Sequence, residues 1–140
     1  MRQILLFATL ATSLALLSGC TLSKTKADTA EDMTGKAAYH KISAEEAYEM
    51  MASQEVVVVD VRTRAEYDGG HIENAVLVSN ESIGSEMPEV LPDKEATLLV
   101  YCRSGRRSKD AAQKLLALGY QSVYDFGGVI DWPYELVKEE

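Results

Sequence analysis

An apolar run that ends on a single thiol constrains this chain more than any other feature. Leu98-Leu99-Val100-Tyr101 leads into Cys102, then Arg103-Ser104-Gly105-Arg106-Arg107-Ser108; from Ser108 to Leu118 alanines and leucines recur at helical spacing. The pattern predicts a buried strand, a tight loop and the first turn of a helix. Such a junction gathers unpaired backbone N–H groups and the positive end of a helix dipole around whatever sits in the loop. A thiol placed there, beside three arginines, is expected to ionise more readily than free cysteine. The chemistry to look for is that of a nucleophilic thiolate facing a small anion.

The flanking segments read as alternating strands and helices. Ser43 and Glu46 form a capping-box pattern for a helix to about Ser53, with Ala47, Met50 and Met51 as its inward face. Val56-Val57-Val58-Val59-Asp60-Val61 lacks polar alternation and suits a strand covered on both faces of a parallel sheet. Asp60 and Arg62 fall at its C-terminal end, the edge where open α/β sheets place ligands. Thr63 and Glu66 repeat the capping pattern for a short helix that Asp68-Gly69-Gly70 stops. Strands are expected at Ala75–Ser79, Ala96–Tyr101 and Ser122–Phe126, with a mostly looped stretch from Asn80 to Asp93 that contains one helical turn. Gly119 closes the helix behind the cysteine. Gly127-Gly128 should turn the chain into a last helical stretch containing Trp132, which packs that stretch onto the core. The fold class is therefore α/β, with a central, mostly parallel sheet of about four to five strands and helices on both faces.

Length allows one folded domain in 140 residues. Met1-Arg2, the apolar stretch Ile4–Leu17 and Ser18-Gly19-Cys20 describe a secretory leader rather than a membrane span. The ending Leu17-Ser18-Gly19-Cys20 resembles the lipobox of bacterial lipoproteins, in which the cysteine is acylated and becomes the first residue after cleavage. Three segments follow: residues 1–19 as a lipoprotein signal peptide, 20–40 as lipidated Cys20 with a flexible tether, and 41–140 as the domain. The expected location is extracytoplasmic, on a membrane through the lipid anchor. The net charge is −8, and loss of the leader removes only Arg2 among charged residues, making it −9. That balance argues against nucleic acid and against an anionic lipid surface. Of the two cysteines, acylation of Cys20 leaves Cys102 without a partner in an oxidising compartment. With two histidines, no metal site has enough ligands, and no cofactor is implied.

Taken together, Asp60-Val61-Arg62, Glu66-Tyr67, Gly70-His71-Ile72, the Cys102–Ser108 loop, and Gly127-Gly128 with Trp132 resemble the rhodanese family of single-domain sulfurtransferases. The match covers about Ile42 to Val137. The resemblance implies a three-layer fold and a cysteine that takes a sulfane sulfur from a donor such as thiosulfate. A thiol, a thioredoxin-like reductant or cyanide would then remove it. Cys102 is the expected nucleophile, and the backbone from Arg103 to Ser108, including Ser104, Gly105, Arg106 and Arg107, the expected cradle. Which arginine faces substrate is open. Asp60 is expected to support the loop, Arg62 to pair with a carboxylate, His71 to be structural and His40 exposed. Two departures stand out. Glu66 stands where some two-domain members carry a substrate-binding arginine, and Glu73-Asn74-Ala75-Val76 replaces the usual proline-containing continuation of the Gly-His-Ile motif. Rival readings are a persulfide carrier or redox sensor without turnover, and a phosphatase or arsenate reductase on the same fold. The latter need an arginine separated from the cysteine by five intervening residues; here that position is Ser108, and Arg107 comes after four.

Overall fold

Side-chain direction alternates along a strand, so an apolar strand with no polar break has to be covered on both sides. The computed structural model, which describes residues 37–138, provides both covers. The leader, Cys20 and the tether to residue 36 lie outside the described residues. The strands are β1 (Ala38–Lys41), β2 (Val57–Asp60), β3 (Val76–Leu77), β4 (Thr97–Cys102) and β5 (Ser122–Gly128), and the helices α1 (Ala44–Ser53), α2 (Arg64–Asp68) and α3 (Arg106–Ala117). The five strands form one sheet in the order β1-β5-β4-β2-β3, every pair parallel. One face presents Val59, Val61, Leu98, Val100, Cys102 and Val123 to Ala111, Ala112 and Leu115 of α3. The other presents Val58, Leu99, Tyr101 and Phe126 to Ala47 of α1 and Tyr67 of α2. The expected α/β class and the three layers are both present.

Both capping boxes form. Ser43 Oγ accepts from the Glu46 N–H and Glu46 returns to the Ser43 N–H, and Thr63 and Glu66 do the same for α2. An N-cap of this kind stabilises a helix by about 1 kcal/mol. It also fixes where α2 begins, and so where Glu66 sits.

Four expectations are corrected. The sequence reads as tether through residue 40, yet Ala38–Lys41 pairs with Ser122–Asp125 as an edge strand. Its exposed Tyr39, His40 and Lys41 show no apolar alternation because one side of an edge strand faces water; His40 stacks on Tyr124 at 4.6 Å. The helix behind the cysteine starts at Arg106 rather than Ser108, because Gly105 at φ 95° completes the turn two residues sooner. Strand β5 runs through Gly127-Gly128 instead of ending at Phe126. A bulge between Val100 and Tyr101 pairs these with Asp125 and Gly127, leaving Phe126 as the extra residue. The last helix shrinks to a 3₁₀ turn, Val129–Asp131. Trp132 lies just beyond this turn and still packs on the core, 5.6 Å from Phe126, 5.0 Å from Tyr134 and 6.1 Å from Tyr48 of α1.

The bulge brings Gly128 against the cysteine loop. A Cβ on Gly128 would overlap Arg103 O and come within 2.6 Å of Ser104 Cα. Backbone must touch backbone there. Gly128→Ala should therefore lower unfolding free energy by about 1–3 kcal/mol in a urea titration, as overpacking generally does. A change too small to measure would contradict this packing.

Candidate active site

Cys102 is the last residue of β4 and only 1% exposed, its side chain on the α3 face. The chain leaves it through Arg103 and Ser104, and Gly105 in the left-handed region turns directly into α3. As a result the leftover N–H groups of the loop and of the first helical turn open on the sulfur. Gly105 N–H donates to Cys102 Sγ at 3.1 Å. Burial pushes the thiol up, but hydrogen bonds from the Ser108 N–H and hydroxyl and from the Ser104 and Gly105 N–H groups outweigh it. The net result is a thiol held below the ordinary cysteine range. Among the described residues Cys102 is the free cysteine.

The three arginines take different places. Arg103 and Arg106 are exposed, whereas Arg107 is half-buried. Arg107 is committed to Glu66, Nη1 to Oε2 at 2.8 Å and Nη2 to Oε1 at 2.7 Å. The Arg107 guanidinium, against some burial cost, holds the Glu66 carboxyl down at about 2. Glu66 thus has two tasks, capping α2 and orienting an arginine whose charge acts on Cys102. The departure from the two-domain pattern has a physical role here. Beside the loop, Ser104, Gly105 and Gly127 line an open groove of about 670 Å³ with Tyr39, Lys41 and Lys109.

Asp60 does not support the cysteine loop. Its buried carboxylate takes the Arg62 N–H at 2.9 Å and the Arg62 guanidinium at 2.6 Å, and the Tyr101 hydroxyl also donates to it. Arg62 Nη2 also donates to Gly70 O at 2.8 Å, and Tyr101 Oη accepts from Ile72 N–H at 3.1 Å. The pair ties the end of β2 to the Gly70–Ile72 turn, so Arg62 has the expected ion-pair role. His71 is structural: buried, stacked on Tyr67 at 3.7 Å, with Nδ1 3.0 Å from Tyr67 O. His40 is exposed, as expected.

The loop's support comes instead from Asp125, which the sequence reading passed over. It is 1% exposed, and its Oδ1 accepts from Ser108 Oγ at 2.7 Å and from Gly127 N–H at 2.9 Å. Its Oδ2 accepts from the Tyr39 hydroxyl at 2.8 Å, and Lys41 Nζ lies 3.4 Å from Oδ1. Burial, and then the hydrogen bond to Asp125, pushes the Tyr39 hydroxyl up to about 12. One signal could have found Asp125: a lone acid inside an otherwise apolar strand needs buried donors.

Residues 43–133 match the model of the Rhodanese-like domain family. Among curated proteins, the chain is 33% identical over 121 residues to a tRNA uridine(34) hydroxylase of Hamiltonella defensa, covering 81% of this chain and 34% of that one. The corresponding protein of Yersinia pestis is 31% identical over 98 residues, covering 66% and 28%. The chain thus spans about a third of the length of these relatives. Among solved structures, a rhodanese-related protein from Thermoplasma volcanium superposes with a TM-score of 0.62 at 28% identity, over 72% of this chain and all of that one. A thiosulfate sulfurtransferase from Pseudomonas aeruginosa gives 0.63 at 26%, over 73% of this chain and 21% of that one. By its matched family model, its parallel sheet and its cysteine loop, the chain belongs to the rhodanese-like family.

Proposed function

We propose that this protein moves a sulfane sulfur through a persulfide on Cys102. The observation that carries the reading is the sulfur's seat at the end of β4, taking the Gly105 N–H at 3.1 Å at the start of α3. Attack by the thiolate on the outer sulfur of thiosulfate forms the Cys102 S–S bond and breaks the donor's S–S bond, with sulfite leaving. An acceptor thiolate, a thioredoxin-like reductant among them, then attacks the terminal sulfur and returns Cys102 as thiolate. Cyanide in its place leaves as thiocyanate. The N–H groups that hold the thiolate suit the persulfide anion equally, and exposed Arg103 and Arg106 give the approach a positive charge that favours a small anionic donor.

The geometry gives a phosphatase less support. The position that would need arginine is Ser108, whose hydroxyl lies 2.7 Å from a carboxylate, and Arg107 is held by Glu66. The activity named for the curated relatives belongs to much longer chains and is not carried over to this acidic one.

We also propose that Cys20 carries an acyl anchor, which would place the domain on the extracytoplasmic face of a membrane. The apolar run Ile4–Leu17 and the Leu17-Ser18-Gly19-Cys20 ending support this.

Two outcomes follow. Cys102→Ser should abolish thiocyanate production from thiosulfate and cyanide while leaving thermal unfolding unchanged; retained turnover would remove Cys102 from the mechanism. Cys20→Ala should move the protein from the membrane pellet to the soluble fraction on cell fractionation, and persistence in the pellet would exclude the lipid anchor.

A further inference from the structure

The Ser108 hydroxyl has one proton and several acceptors. Asp125 Oδ1 is 2.7 Å away, Gly105 O 3.0 Å and Gly127 O 3.3 Å, and the hydroxyl also acts on the Cys102 sulfur, favouring its thiolate. Only one of them can be served at a time. Asp125 is the shortest and the charged one. It is also fixed, because Gly127 N–H, the Tyr39 hydroxyl and Lys41 Nζ all hold the same carboxylate.

Resting on the reading of Cys102 as the reactive thiol, we propose that Asp125 is a positioning residue that competes with the Cys102 sulfur for the Ser108 hydroxyl, and thereby sets how much of Cys102 is thiolate. While the hydroxyl points to Asp125, its oxygen lone pairs face the sulfur. That arrangement suits the neutral thiol, which can donate to them. When the sulfur gives its proton to solvent, or carries a persulfide anion, the hydroxyl rotates to it. Asp125 then keeps Gly127, Tyr39 and Lys41 as donors. No covalent bond of Ser108 or Asp125 changes.

The charges around the sulfur come from several elements. Arg107 of α3 acts directly and favours the thiolate, and it is itself held by Glu66 of α2 and acted on by Glu81. Asp125 of β5 acts through Ser108, with Tyr39 and Lys41 of β1 behind it. Asp60 and Arg62 of β2 are paired with each other. Strand β1 thus bears on the thiol through the carboxylate it helps hold.

The test is the pH dependence of Cys102 alkylation by iodoacetamide in the full chain, read at the Cys102 peptide by mass spectrometry. Asp125→Asn keeps the shape and weakens the pull on the hydroxyl. Its midpoint should fall by about one pH unit, giving about tenfold more thiolate at a pH below both midpoints. Ser108→Ala alone should raise the midpoint, and in that background the Asp125→Asn shift should disappear. Should Asp125→Asn fail to fold, Lys41→Met at the exposed edge strand serves instead. It strengthens the pull of Asp125, so the midpoint should rise with Ser108 present and stay put with Ser108→Ala. A midpoint in Asp125→Asn that is unchanged or raised would overturn the proposal. So would a shift of equal size without Ser108, since direct repulsion between carboxylate and thiolate would then explain it. Alkylation requires no sulfur donor, so a failed sulfur transfer with these shifts intact would count against the proposed reaction and not against this coupling.

Discussion

The structure depends on backbone N–H groups that have no partner in the regular elements. A helix leaves its first N–H groups unbonded. By ending β4 on Cys102 and turning at Gly105, the chain directs several of those groups at one sulfur. No lysine or arginine has to touch the thiol for its anion to be favoured. The geometry holds because Gly128 lies against the loop from the neighbouring strand, where a side chain would collide with Arg103 and Ser104. The bulge at Phe126 is what puts that glycine there.

Charge is then arranged around this backbone site in two opposed pairs. Arg107 brings positive charge close to the sulfur but shares it with Glu66, a residue already fixed by its capping role on α2. Asp125 brings negative charge from the other side, shared among Ser108, Gly127, Tyr39 and Lys41. Side chains from α2, α3, β1 and β5 thus meet around the cysteine, while Asp60 and Arg62 bind the C-terminal end of β2, on the same sheet edge, into the turn beyond α2. The two buried acids of the sheet, Asp60 at the end of β2 and Asp125 within β5, do different work because of which strand carries them.

Much of this was legible beforehand. The unbroken valines of β2, two capping boxes and the apolar strand ending at Cys102 carry strong local signals, and each was placed within a residue or two. What escaped depends on partners distant in sequence. Strand β1 has no apolar alternation and exists because β5 offers it an edge. The bulge at Phe126 depends on the register with β4. The start of α3 is hidden in sequence because Arg106, Arg107 and Ser108 give its first turn no apolar residue. Asp60 stands out in sequence as the loop's support because it ends β2 at the ligand-bearing edge, whereas the bond that decides the matter runs from the Ser108 hydroxyl to Asp125.

The most direct test of the account is the intact mass of the full chain after incubation with thiosulfate, followed by peptide mapping. The account predicts a gain of one sulfur atom, confined to the peptide containing Cys102 and lost on adding cyanide. A chain that gains no sulfur from thiosulfate or from polysulfide, or gains it elsewhere than Cys102, would contradict it.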